Sequence, residues 1–503
     1  MFIKTQEDLF NWTFSQFAIL QLVKSSRLVN SLSLATLLWT LLLVSVVAVL
    51  TWKPDSWILS RLLFGSFIAM SAIDGSLSNH VVTSTALAVM AVFITSEKDF
   101  VGIKWFCAVL YLVTGLHKLN SGFFDRHHSC ASLYVTGSLS VLPLSVLEGL
   151  YPKLERVVRL APYCAVSFEL VWPFLLTLTK GSVYKLAILV GAMFHAALAL
   201  PPSPLSVYPF SAIMVPLYVV LVPGDSLRVL INRMRSSLVV TGALLAILVI
   251  SSTSASMLLF EEINLFEYPP YGLWGVSVAW NCIWWTVIVA ATIGSGGMDS
   301  SVWNALRPNI MVRSVVLFLL IFALTPYVGL RNYPALAMFS NLRTEGSRPN
   351  HWVPSYDFFG YQRDWVRVTS TNFGPVRDLQ INLGHMFPAK LLHSAATFNV
   401  SSEFYICPPT WESDIHTFVP FNTPFIEIRR RVSSFDWAKY DSAEIGELFI
   451  EYERYLGGSK LDTVRFSSFG LARHSELTEP LSWFEKYLVR FRTFSEEYSP
   501  CRH

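Results

Sequence analysis

The sequence predicts an α-helical polytopic membrane domain of about nine or ten transmembrane helices, followed by a C-terminal β-rich, sandwich-like extramembranous domain. Three observations predict it. Of 503 residues, 53% are hydrophobic and only 15% are charged, against roughly 25% in an average soluble protein. Apolar runs close to spanning length recur through the first 330 positions. Charge gathers behind them: residues 331–503 hold 20 of the 35 acids and 19 of the 38 bases. We therefore divide the chain into an N-terminal interfacial segment (1–31), a transmembrane domain (32–330) and a non-cytoplasmic β-rich domain with a terminal amphipathic helix (331–503).

Glu7 and Asp8 interrupt what would be a signal peptide, and no small-residue cleavage site follows a short apolar core, so residues 1–31 read as retained. Phe2, Leu9, Phe10, Phe17, Leu20 and Leu22 fit an amphipathic helix along the interface, or else a loosely ordered tail. Ten runs then approach the length needed to cross the hydrocarbon: 32–51, 57–72, 80–96, 102–118, 160–178, 183–201, 207–223, 236–260, 270–293 and 311–330. The short connections alternate in charge, while the longer loop 119–159, with Arg126, Lys153, Arg156 and Arg159, departs from the pattern. One set carries Lys53, Lys98, Lys104, Lys180, Lys185, Arg228, Arg233, Arg235, Arg307 and Arg313, whereas 73–79, 202–206 and 261–269 carry no Lys or Arg. Positive residues stay cytoplasmic, which places the loop 119–159 and the C-terminal domain on the other side.

A net charge of +3 without a basic run excludes nucleic acid as a partner. Two sequons, at Asn11 and Asn399, are candidate glycosylation sites on the non-cytoplasmic side. The six cysteines have no metal-ligand spacing, and no metal is expected. Cys130 and Cys407 fall outside the spans on one side and form a candidate disulfide.

Ionisable residues at membrane depth need a partner, a wet cavity or a function. His80 opens the third span, Lys118 closes the fourth, Glu169 lies midway along the fifth and His195 lies late in the sixth. Each has an ordinary reading: a snorkelling lysine, a core histidine, a helix-start polar residue or an ion-pair partner. The expectation that Lys118, His80 and His195 share one face of the bilayer favours chemistry. A desolvated lysine loses its proton readily and becomes a base, and neutral histidines can hold an oxyanion or a carboxylate.

These residues fall in an ordered set of motifs. Ser78-Asn79-His80 is followed by YLVTGLHKLN (111–120), then Phe194-His195, YPFS (208–211), MFSNLRTEGSRPNHW (338–352) and FGYQRDW (359–365). Together they resemble the vitamin K-dependent gamma-glutamyl carboxylases and the wider group of proteins sharing their transmembrane domain. The resemblance covers most of residues 75–370. It implies that Lys118 is the catalytic base, with His80 and His195 stabilising a carboxylate, carbanion or carbon dioxide. The animal enzymes carry a second lysine where this chain has His117. Asn79, His117, Asn120, Glu169, Tyr208, Ser211, Asn341, Arg343, Glu345 and His351 are the candidate substrate- or cofactor-binding residues. The implied activity is oxygenation of a reduced quinone to its epoxide, coupled to carboxylation of glutamyl residues, a carbon–carbon bond-forming chemistry. The implied cofactors are reduced vitamin K, O2 and CO2; the partners are membrane lipid and a glutamate-containing peptide. The implied location is the endoplasmic reticulum membrane in a eukaryote, or the inner membrane in a bacterium. Two alternatives are the same fold acting on another lipid or quinone-linked substrate, and a non-catalytic transporter or export factor.

Beyond the spans, WVRVTST, LQINL, FNVSSEFYIC, FIEIRRRV and DTVRFSSF alternate as strands. Arg429, Arg430 and Arg431 would then lie on a solvated strand edge. LSWFEKYLVRFRTF (481–494) spaces its apolar residues as a terminal amphipathic helix. In the loop 341–351, Arg343 and Glu345 pair either with substrate carboxylates or with each other.

Overall fold

A computed structural model describes residues 5–25, 41–42, 44–46, 55–74, 78–140, 144–178, 181–201, 207–222, 226–227, 229–230, 270–295, 307–337, 339–379, 394–400, 404–405, 418, 420–437, 440, 446–473, 475–496 and 501–502. They are mainly helical, with one small four-stranded antiparallel sheet. Besides α1 (Gln6–Ser25), helices occur at eight of the ten expected runs: α2 Trp57–Asp74, α3 Asn79–Phe93, α4 Val101–His117, α5 Leu144–Leu178, α6 Gly181–Ala199, α7 Tyr208–Leu221, α8 Pro270–Gly294 and α9 Ile310–Ala323. The run 236–260, and 32–51 apart from five positions, lie outside the described residues. Among the described residues, three helical stretches, Glu97–His117, Gly149–Thr177 and Gly181–Ala199, are long and apolar enough to cross a membrane, and shorter apolar stretches include Val278–Gly294 and Ile310–Ala323.

The chain divides into two compact units. Unit 1 comprises Met1–Leu112, Gly137–Gly149 and Ser167–Leu320; unit 2 comprises Val113–Thr136, Leu150–Val166 and Ile321–His503. In unit 1 the expected interfacial segment is instead part of the bundle. Helix α1 buries Leu9, Phe10, Phe14 and Phe17, and Phe14 packs edge-on to Phe64 and Phe67 of α2 with ring centroids 5.1 and 5.4 Å apart. Its polar residues also turn inward: Gln6 Nε2 donates to Val220 O at 2.6 Å, and Gln16 Oε1 accepts from the indoles of Trp280 and Trp284, both at 3.0 Å. Those bonds satisfy the amides away from water, which is why the segment packs inside rather than lying on a surface.

In unit 2, β1 (Asp364–Thr371), β3 (Phe421–Pro424), β4 (Phe449–Leu456) and β5 (Ser459–Ser467) form a sheet ordered β3-β1-β4-β5; β2 (Phe404–Tyr405) pairs in parallel with β6 (Cys501–Arg502). The alternating segments WVRVTST and DTVRFSSF are strands as expected. The segment FIEIRRRV is not: Phe425–Ser433 is a helix, α10. Phe425, Ile428 and Val432 lie on one helical face, and they pack on Val366, Val368, Ile450 and Tyr452 of the sheet. Among the described residues, a helix therefore fills the place expected of a second sheet. Most of LQINL and FNVSSEFYIC lies outside those residues.

The arginine run is likewise not a solvated edge. Arg430 pairs through Nε with Glu427 at 3.0 Å and donates to the carbonyls of Glu485, Lys486 and Val489; Arg429 meets Glu485 Oε1 at 3.0 Å. Arg331 takes the next carbonyls, those of Tyr487 and Leu488. The expected helix over 481–494 accordingly stops early. It forms only at Trp483–Tyr487, where Ser482 and Glu485 make a capping box. Its further carbonyls are engaged by the two arginines, and the chain runs on extended to bridges at Arg490 and Phe494. Glu427 also accepts Phe491 N–H at 2.8 Å and has a 4% exposed side chain. Removing it takes the ion-pair partner from Arg430, which keeps its three carbonyls, and the acceptor from Phe491 N–H, so Glu427→Ala should destabilise unit 2 by about 1–3 kcal/mol, read as a lower midpoint in thermal unfolding.

Candidate functional site

Lys118 lies where α4 ends. The last turn tightens, with Lys118 N–H on Gly115 O at 3.1 Å and Leu119 N–H on Leu116 O at 3.0 Å. Asn120 then takes an extended conformation and caps the short turn Ser121–Phe124, its Oδ1 accepting Phe123 N–H at 2.8 Å. The lysine is thus set in a break between helical segments. It is buried at 6% exposure, with Nζ 3.4 Å from Thr114 O and 5.9 Å from the centre of the Phe123 ring.

The chain after Lys118 is clamped to the 338–352 segment. Ser121 N–H donates to Asn350 O and Trp352 N–H to Leu119 O, both at 3.0 Å. Asn120 Nδ2 donates to His117 O at 2.9 Å and Ser340 O at 2.6 Å, while its Oδ1 also accepts from Asn350 Nδ2 at 3.2 Å. Two donors and two acceptor positions are then filled by protein. Asn120, expected to contact substrate, positions the lysine loop instead. Asn341 acts similarly: in a left-handed conformation at φ 52°, it accepts Cys130 N–H at 2.8 Å and donates to His128 O at 2.7 Å. Arg343 is buried and donates to the carbonyls of Arg348 and Ser495. Glu345 accepts from Thr344 N–H and Oγ1.

His117 and His351 are joined by Tyr327, a residue the sequence reading passed over. His117 Nε2 faces Ala335 O at 3.1 Å, so that nitrogen carries the proton; its Nδ1 therefore accepts from Tyr327 Oη at 2.8 Å. His351 Nδ1 lies 2.9 Å from Val353 N and 3.0 Å from Val353 O, and its Nε2 lies 2.8 Å from Tyr327 Oη and 3.0 Å from Leu116 O. Burial lowers the pKa of His351, opposed by the carbonyls of Val353 and Leu116. Because its folded value lies below the ordinary 6.5, the unfolded chain binds the proton more readily. Stability from this group is complete above pH 6.5 and declines as the pH falls below it. Melting temperature should therefore drop between pH 7.5 and 5.5, and drop less in His351→Gln.

In unit 1, His195 sits on α6 at 0% exposure, its Nε2 hydrogen-bonded to Tyr111 Oη. Its ring stacks on Trp285 at 5.2 Å and 16°, with Tyr218 and Phe210 at 5.6 and 5.7 Å. Ser211 Oγ donates to His195 O at 2.7 Å and accepts Trp285 Nε1 at 3.1 Å, tying the YPFS motif to the histidine. A Cβ at Gly191 would overlap Tyr218 Oη and the Trp172 indole, so glycine is required where α6 meets these rings. Among the described residues, His195 Nδ1 is buried with no hydrogen-bond partner. His80 is buried at the start of α3 beside Ser78 Oγ at 3.1 Å; Asn79, next to it, and Glu169 are also buried. Tyr208 begins α7.

The structure thus gathers His117, Lys118, Asn120, Asn341, Arg343 and His351 in unit 2, and His195 and Ser211 in unit 1, where His80, Asn79 and Glu169 also belong. Tyr111, within the recognised motif, and Trp285, one of several tryptophans in α8, were the unit 1 partners that sequence reading missed.

Two further expectations change. Cys130 is bonded to Cys501, with Cα atoms 4.7 Å apart, and not to Cys407, which lies outside the described residues. A sulfur forms one such bond, and the parallel pairing of β2 with β6 fixes the end of the chain that carries Cys501. Asn11 is buried on α1, whereas Asn399 is exposed in a turn at φ 52°. No protein family, curated protein or solved structure matches the chain in comparisons with known proteins.

Proposed function

We propose that the chain is a polytopic membrane enzyme of nine or ten spans that uses Lys118 as a general base on a reduced quinone, forming an epoxide and coupling this to carboxylation of a glutamyl substrate. The observation that carries the reading is a lysine buried at a helix break inside the motif set that resembles the vitamin K-dependent carboxylases. A disulfide between Cys130 and Cys501 agrees with an oxidising, non-cytoplasmic side for the C-terminal domain.

Within unit 1, His195 Nδ1 is buried without a protein partner among the described residues and is flanked by Trp285, Tyr218 and Phe210; the resemblance gives this histidine the role of stabilising a carboxylate, carbanion or carbon dioxide. When bound, the reduced quinone supplies the electrons that reduce oxygen. In this reading Lys118 Nζ accepts the proton of a hydroxyl group. The Asn120 bonds hold the lysine loop in place while this occurs.

The test is to incubate the purified chain with reduced vitamin K, oxygen, labelled bicarbonate and a Glu-containing peptide. Label in the peptide together with quinone epoxide is the expected result. Epoxide without label moves the assignment to the same fold with another acceptor, and neither product overturns the proposal.

A further inference from the structure

Two exposed aromatic segments of unit 2 converge on the stretch just after α9. The first, 352–363, presents Trp352, Tyr356 and Phe358 at 60, 64 and 72% exposure; the second, 483–488, presents Trp483 and Tyr487 at 70 and 55%. Both are pinned to the same short piece of chain. Tyr356 N–H donates to Tyr327 O at 2.8 Å, and Gln362 Nε2 donates to Pro326 O at 2.8 Å. Arg331 holds the carbonyls of Tyr487 and Leu488, and the rings of Phe359 and Phe484 join the two segments at 5.3 Å. Ile321 and Leu324, at the end of α9, are exposed as well.

Lys486 is exposed, and Arg363, also exposed, lies with Nε 3.5 Å from Asp357 Oδ2. Asp357 is turned in, accepting Gln362 N–H at 3.1 Å, and Glu485 is held by Ser482 and Arg429. So many large rings on one water-facing surface would be unfavourable. Tryptophan and tyrosine, rings with a polar edge, concentrate at the headgroup level of membranes, and exposed cations favour anionic lipid there.

We propose that segments 352–363 and 483–488 form a membrane-interface anchor whose rings sit among the phospholipid headgroups. The inference needs α9 to be a membrane helix and is independent of the chemistry assigned to Lys118.

Spin labels test it in the full chain, with Cys107, Cys164, Cys282 and Cys407 replaced by serine and the Cys130–Cys501 bond retained. Labels are placed at Phe358→Cys and Trp483→Cys, with Leu461→Cys in the β4–β5 hairpin as the aqueous reference. Each variant is reconstituted in nanodiscs of phosphatidylcholine and phosphatidylglycerol. The expected result is several-fold lower collision with a water-soluble nickel complex at 358 and 483 than at 461, with collision with oxygen retained. Equal nickel access at all three positions overturns the anchor. So does shielding from both nickel and oxygen, which would mean that protein covers the rings. Should either first-choice variant fail to fold, Tyr356→Cys and Tyr487→Cys supply the same two readings.

Discussion

Lys118→Ala should lower the rate of quinone epoxide formation by a factor on the order of 10²–10⁴, the contribution of a positioned general base. In the proposed function the second reaction depends on the first, so carboxylation should fall with it. The substitution removes an amine from a 6% exposed position, and it leaves the surrounding clamp unchanged, since Asn120 bonds main-chain oxygens of His117 and Ser340. Melting temperature should therefore change little while activity is lost. Lys118→Arg should be nearly as inactive, because a guanidinium stays protonated at every working pH and cannot accept the proton. Asn120→Ala provides the contrast. It leaves the amine but frees the loop, so stability and activity should decline together.

The second large effect concerns the covalent link. The bond between Cys130 and Cys501 joins positions 371 residues apart, so it restricts the unfolded chain strongly. Losing such a bond costs about 2–5 kcal/mol in typical cases. Cys501→Ser should lower the melting temperature markedly, and reductant should do the same to the unmodified chain. Cys407→Ser should leave the bond in place. Peptide mapping without reduction would show Cys130 joined to Cys501 in the unmodified chain and in Cys407→Ser, and free in Cys501→Ser.

Helices were legible in this sequence wherever a long apolar run made them so, because that signal is local. The same holds for β1 and β5, whose alternation marks strands plainly. The segment 425–432 misleads for a physical reason. Its apolar positions Phe425, Ile426, Ile428 and Val432 fit both an alternating strand and a helical face, and only its packing on the sheet selects the helix. At 481–494 the sequence does have helical spacing, yet Arg331 and Arg430 claim the carbonyls that a longer helix would need. Neither arginine adjoins that segment in the chain.

The site divides in the same way. Lys118, His117, His351 and His195 were named from type and motif. Their partners were not legible, because Tyr327 lies 210 residues from His117, and no periodicity encodes such a pairing. Asn120 and Asn341 were taken for binding residues because polar side chains near a buried lysine suggest a ligand. Their hydrogen bonds show that they hold backbone. The partner of Cys130 was obscured because distance along the chain says nothing about which two sulfurs meet.

The most direct measurement of the role of Lys118 is amine rescue of Lys118→Ala, following epoxide formation from reduced vitamin K with the peptide omitted. Small primary amines should restore the rate in the variant, more so as their basicity rises, and should leave the unmodified protein unaffected. A variant that forms epoxide at the unmodified rate with no amine added would contradict the account.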